Sequence, residues 1–222
     1  MFDKLKLLKI LGYSPDVILD IGAYVGNWTN HMKQIYDNCQ YHLFEAIDYP
    51  ELYKFNNVEN VAVHHETILN EKIEEVDWYQ QKNTGDSFFK EKTKYFVNCD
   101  PIKKTTIDLQ TYVKMNNDML RDAKNILIKI DCQGAEIPIL KGMGTEILEK
   151  TDFIILEMPL FGQYNEGVPS FLEHIKYMDN IGFIPYDVLE NHYVHHFNIQ
   201  VDILFIKKTH EFNKRVNEML FV

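Results

Sequence analysis

At 222 residues the chain is sized for one domain with embellishments, since a domain takes about 150 residues. Apolar residues at 45% and charged residues at 25% are ordinary globular usage, which excludes disordered, collagenous and coiled-coil classes. With 23 Lys and Arg against 33 Asp and Glu the net charge is −10, so the surface repels a phosphate backbone and nucleic acid is not an expected partner.

Met1 to Leu11 mixes lysine with Leu and Ile as an amphipathic helix would, and residues 1–14 are read as an N-terminal helical piece. That piece lacks the unbroken apolar stretch of a signal peptide, and no segment approaches the roughly 20 apolar residues that span a bilayer. Cys39, Cys99 and Cys132 are odd in number and form no C-x-x-C pair, as suits reduced thiols. A cytoplasmic protein with no membrane partner, monomeric or homodimeric, is expected.

From Pro15 onward short apolar runs alternate with helical patterns, the rhythm of parallel strands joined by crossover helices. Strands are expected at 17–23, 41–46, 58–64, 125–132 and 153–158, and helices at 26–36, 107–116, 136–150 and 170–180. Between 65 and 106 the pattern weakens, with Asn83-Thr84-Gly85-Asp86 as a turn signal, and the segment reads as an antiparallel excursion or lid. Strands at 183–189 and 198–207, with Glu190 to His196 between them holding His192, His195 and His196, end the chain as an antiparallel hairpin with one reversed strand.

The most informative segment is Asp20-Ile21-Gly22-Ala23-Tyr24-Val25-Gly26-Asn27, an apolar strand that ends in an acid and two glycines and leads into a helix. Gly22 permits a positive φ and close approach of a ligand, and free N–H groups at the helix start hold an anionic group. Glu45 ends the second strand 19 residues past Gly26, near the separation at which an acid bonds ribose hydroxyls. A dinucleotide fold prefers G-x-G-x-x-G, whereas the spacing here is Asp-x-Gly-x-x-x-Gly, which favours S-adenosylmethionine. An NAD(P)-dependent oxidoreductase and a non-catalytic nucleoside-binding module are the rival readings.

Three segments carry a resemblance to the FkbM family of S-adenosylmethionine-dependent methyltransferases, which runs from about Pro15 to Lys208. They are the glycine turn; Lys103-Lys104-Thr105-Thr106-Ile107-Asp108; and Ile128-Lys129-Ile130-Asp131-Cys132-Gln133-Gly134-Ala135-Glu136, continuing to Leu140-Lys141-Gly142. Tyr24 stands where the family usually has Asn, and Gln133 where it often has Glu. The resemblance implies a Rossmann-like class I α/β fold, with a mostly parallel seven-stranded sheet, a reversed last strand and helices on both faces. It implies a cofactor site of Asp20, Gly22, Ala23, Gly26, Asn27, Glu45, Ala46, Ala62 and Asp131. Relatives act on sugars, polyketides and other natural products, so a sugar, nucleotide-sugar or glycan hydroxyl is the expected acceptor.

Ligands of open α/β sheets bind at the carboxyl ends of the strands, which gathers Asp20, Glu45, Asp131 and Glu157 on one rim with the hairpin histidines. Methyl transfer to a hydroxyl needs the nucleophile oriented and its proton accepted, so Asp131, Glu157 and His195 are the expected catalytic residues. Asp131 also reads as a cap of the helix that follows, and the hairpin histidines as turn residues. Loop histidines rarely supply zinc geometry, Asp131 would suit magnesium better, and no metal is expected. Phe88, Phe89, Tyr95, Tyr164 and Tyr193 are candidate cleft aromatics, and Lys82, Lys90, Lys92 and Lys94 a local basic excess able to receive a phosphorylated acceptor.

Overall fold

A computed structural model describes residues 1–116, 118–160 and 165–220. Its main sheet has seven strands in the order β3-β2-β1-β6-β7-β9-β8: β1 (Val17–Ile21), β2 (Gln40–Phe44), β3 (Val61–His64), β6 (Ile126–Ile130), β7 (Thr151–Pro159), β8 (Phe183–Val194) and β9 (Phe197–Lys207). Strands β3, β2, β1, β6 and β7 pair in parallel, while β9 runs antiparallel to both β7 and β8. The expected reversed strand is thus β9.

The sequences Val-Ile-Leu-Asp-Ile and Ile-Leu-Ile-Lys-Ile are buried at every position, because β1 and β6 lie in the sheet centre with both faces covered. Leu19, Ile21, Ile128 and Ile130 pack into one core, and Ile18 and Leu127 into the other. This alternation turns Asp20 and Lys129 to the second face. There lie α1 (Phe2–Ile10) and α2 (Asn27–Ile35), whose Leu5, Leu8, Met32 and Ile35 share that core. No described helix is long and apolar enough to cross a membrane.

Helix starts follow local capping chemistry. Asp108 opens α3 (Leu109–Met115) by accepting from the Thr111 N–H at 2.8 Å, and Ser170 and Glu173 form a reciprocal capping box for α6 (Phe171–Asn180). The helix expected over 136–150 is instead two, α4 (Glu136–Lys141) and α5 (Gly144–Lys150). Gly144 adopts φ +71°, a left-handed conformation that stops one helix from running into the other. Strand β3 starts three residues later than expected, because Asn60 turns the chain at φ 64°. A 3₁₀ turn at Pro50–Phe55 and the C-terminal helix α7 (Glu211–Leu220) were not expected.

Strands β4 (Glu75–Trp78) and β5 (Ile102–Thr105) pair antiparallel as a separate two-stranded sheet within the excursion. Lys103 pairs with Asp77 at 2.8 Å in solvent, whereas Lys104 is half-buried, donates to the Ala46 carbonyl at 3.0 Å and lies over the Trp78 ring. Lys104 thereby ties the excursion to the end of β2.

Candidate active site

At the end of β1, Gly22 takes φ +78° and its N–H donates to the Phe44 carbonyl at 3.0 Å. A Cβ at Gly22 would fall 2.0 Å from the Asp131 carbonyl oxygen, so only glycine fits between the two loops. Gly26, also left-handed at φ +75°, is the N-cap of α2, and the Phe55 ring occupies the space a Cβ would need. Tyr24 is left-handed at φ 49°, a conformation that asparagine tolerates better than tyrosine. Its N–H donates to Glu45 Oε2 at 2.7 Å, and the Ile47 N–H donates to Oε1 at 3.0 Å. Burial pushes the Glu45 carboxyl up to about 7 although these two N–H groups favour its charged form.

Asp20 is fully buried beneath α2. It accepts from Thr29 Oγ1 at 2.6 Å, and the Lys129 ammonium lies 3.6 Å from its Oδ1. Burial raises the Asp20 pKa against the pull of Lys129 and Thr29. The same ammonium is 3.1 Å from Asp131 Oδ2, and the two carboxylates keep it charged against burial. Asp20 therefore braces the glycine turn from behind instead of facing open space.

The loop after β6 is anchored to the turn by the Asp131 N–H, which donates to the Ile21 carbonyl at 3.1 Å. Gln133 at φ 51° and Gly134 at φ 107° reverse it, and buried Glu136 gathers the Cys132 and Gly134 N–H groups at 3.0 and 3.3 Å. The cap of α4 is Ala135, not Asp131, so the Asp131 carboxylate is left to the site. Its side chain is 35% exposed.

Asp131 meets a cluster carried by the last three strands. Gln133 Nε2 donates to Glu157 Oε2 at 2.8 Å and reaches Asp131 Oδ1 at 3.5 Å, while Gln200 Nε2 donates to the same Glu157 oxygen at 3.1 Å. His192 Nε2 is 3.1 Å from Asp202 Oδ2 and 3.9 Å from Glu157 Oε1. Burial alone would raise the Asp131 pKa, but Lys129 outweighs it and the net shift is downward. Burial and the Asp131 charge push Glu157 well upward, opposite to Asp131. The hydrogen bond to Asp202 raises His192.

Two cavities open at this rim. The first holds about 720 Å³ free of protein atoms, counting its mouth, and its walls include Gly22, Tyr24, Glu45, Ala46, Ile47 and Asp131. The second, about 1190 Å³ on the same measure, is lined by Asp131, Glu157, His192, Glu91 and Gln200 among others. Asn83, Thr84, Asp131 and Gln133 belong to both walls.

Of the expected cofactor residues, Gly22, Glu45, Ala46 and Asp131 line the first cavity, while Ala23 and Gly26 are buried in the turn and Asn27 is exposed on α2. Ala62 sits inside β3, paired with His42, away from both walls. Glu157 lines the second cavity, but His195 occupies the exposed two-residue hairpin turn with His196, because β8 extends to Val194. His192 and Asp202 take the rim position instead. The signal for Asp202 was an acid inside the apolar run Val201-Asp202-Ile203. Phe88 lines the first cavity and Tyr95 the second, Phe89 packs beside Gly134, Tyr193 is exposed, and Tyr164 lies outside the described residues. Lys82, Lys90, Lys92 and Lys94 are absent from both linings among the described residues.

Residues 20–185 match the family profile described as Methyltransferase FkbM domain. Among curated proteins the chain is 26% identical over 158 residues to Methyltransferase 1 of Beauveria bassiana (strain ARSEF 2860), a match covering 64% of each chain. Among solved structures it is similar to Methyltransferase FkbM from Methylobacillus flagellatus KT, with a TM-score of 0.51 and 14% identity over 88% of this chain and 45% of that one. It is also similar to TehB from Haemophilus influenzae, with a TM-score of 0.50 and 10% identity over 94% of this chain and 62% of that one. The chain thus spans less than two-thirds of the length of these relatives, and the structural likenesses are likenesses of fold.

Proposed function

Because the chain belongs to the FkbM methyltransferase family, we propose that it transfers a methyl group from S-adenosylmethionine to a hydroxyl of a phosphate-free, hydroxyl-rich acceptor such as a sugar or glycan. The observation that carries this reading is the wall shared by the two cavities, in which Asp131 and Gln133 stand between a donor side and an acceptor side.

S-adenosylmethionine is the methyl donor of this family, and when bound it supplies a methyl group on a positively charged sulfur. The first cavity suits it chemically. Its described lining carries the carboxylates of Glu45, Asp86 and Asp131 and no Lys or Arg, which favours a cation and disfavours the diphosphate of a dinucleotide. The turn at Gly22 and Tyr24 would flank the amino-acid end, and Glu45 would take the ribose hydroxyls. Ala46 and Ile47 offer apolar surface to the base.

On the acceptor side Asp131, held charged by Lys129, accepts the hydrogen bond of the attacking hydroxyl and fixes its direction. As the methyl group leaves the sulfur, the hydroxyl proton passes to the Asp131 carboxylate, beside Glu157 and the His192 imidazole that Asp202 holds. No Lys or Arg lines the second cavity among the described residues, and Glu91, Asp131 and Glu157 do, so a phosphorylated or nucleotide-linked acceptor is repelled. Residues 65–106 act as a lid over one catalytic domain.

Asp131→Ala is the test. Calorimetry should show donor affinity reduced by no more than about tenfold, the loss of one of the three carboxylates in the first cavity's described lining, while turnover with isotope-labelled donor on a panel of free glycosides falls ~10²- to 10⁴-fold. Undiminished turnover would remove Asp131 from the reaction, and binding of donor without methylation of any hydroxyl would favour a nucleoside-binding module.

A further inference from the structure

Two polar atoms buried on residues that line the first cavity have no hydrogen-bond partner among the described residues, the indole Nε1 of Trp78 and Oδ2 of Asp86. Buried polar atoms are nearly always paired, so an unmet donor and an unmet acceptor on two residues of one cavity wall point to a ligand that supplies both partners. Neither side chain is loosely placed. Trp78 is 6% exposed, ends β4 and lies under the Lys104 ammonium, and Asp86 uses its other oxygen to accept from the Gln81 N–H at 2.7 Å.

Their location narrows the ligand group. Lys104 ties Trp78 to the Ala46 carbonyl, next in sequence to Glu45. With ribose at Glu45, the base attached to it would lie along Ala46 and Ile47, in the cavity that Trp78 and Asp86 also line. Adenine offers on one edge an exocyclic amine, which donates, beside a ring nitrogen, which accepts. That edge answers one free carboxylate oxygen and one free indole N–H. A 6-oxo purine puts an oxygen in place of the amine, opposite an oxygen of Asp86.

We propose that Asp86 and Trp78 read the adenine edge of the methyl donor, so that the excursion supplies the site's base specificity. The inference rests on the reading of the first cavity as the donor site. It is tested by calorimetry with S-adenosylhomocysteine and its 6-oxo analogue S-inosylhomocysteine. Wild type should bind the adenine form at least tenfold more tightly. Asp86→Asn, which keeps the shape but can donate to an oxygen, should shrink or reverse that ratio, and Trp78→Phe should weaken the adenine form about five- to tenfold. A ratio measured within each variant is insensitive to a general loss of stability. Equal binding of the two nucleosides by wild type, or a full preference kept by Asp86→Asn, overturns the inference. Were Glu45→Ala to lose binding while Asp86→Asn kept its preference, the donor cavity would stand and the base reading would fall. If S-adenosylhomocysteine bound wild type, Glu45→Ala and Asp86→Asn alike, the donor cavity itself would be misplaced and the base reading with it.

Discussion

The two cavities of this rim, proposed as its donor and acceptor sides, are built on different principles. The first is framed by two short stretches of chain, residues 20–27 and 44–49, joined by backbone hydrogen bonds and by close packing at Gly22, and is completed by residues of the excursion and of the loop after β6. The second sets the excursion against groups from four separate strands or their ends, and those groups are held by charge, with Lys129 on Asp131 and Asp202 on His192 while burial raises Glu157. Shape therefore governs one side and protonation the other, and substitutions should divide accordingly.

The largest expected effect lies on the side governed by shape. Gly22→Ala would drive a methyl group into the Asp131 carbonyl and force a left-handed alanine, so donor affinity should fall by more than ~100-fold by calorimetry, with a large loss of melting temperature. An alanine variant that binds normally would contradict the packed contact between the loops.

Glu45 mixes the two principles, since a shape-governed wall there holds a titrating group. Its folded pKa of about 7 lies above the ordinary 4.5 because burial disfavours the charge. The stability it contributes to the unliganded protein is complete below about 4.5 and is lost as pH rises through about 7. Ribose hydroxyls prefer the ionised form, so donor affinity moves the other way, falling up to about tenfold per pH unit below 7. Glu45→Gln should flatten both profiles in melting and calorimetric titrations, and unaltered slopes would assign the pH response to another group.

The smallest effect concerns the brace behind the turn. Thr29→Val removes the 2.6 Å bond to Asp20 and leaves a buried carboxylate oxygen unpaired, at a cost of about 1–3 kcal/mol. Chemical denaturation should detect that loss while donor affinity stays within about threefold. A large affinity loss would mean that Asp20 acts on the ligand and not through the turn.

Much of the donor side was legible because its determinants are contiguous. An unbroken apolar strand, an acid and two spaced glycines specify the turn locally, and Glu45 follows at a fixed distance along the next strand. Asp108 and Ser170 set their helix starts in the same local way, through side chains that cap nearby N–H groups. What stayed hidden depends on pairing between distant segments. The hairpin register decides that His192 faces Asp202 while His195 sits in the turn, and a strand five residues longer than expected cannot be read from composition. The facing of Asp20 toward α2 follows from strand alternation, but its Lys129 partner comes from a strand more than a hundred residues later. The excursion was hardest, since Trp78 and Asp86 acquire meaning only where Lys104 docks them beside β2.

The contact of the Gly22 backbone with the Asp131 carbonyl fuses grip and chemistry into a single rigid joint. Traffic through the rim cannot proceed by prising the strands apart, because the joint would break with them. Under the proposed reading, exchange of spent donor for fresh would instead fall to residues 65–106, which Lys104 fastens to the end of β2 at Ala46.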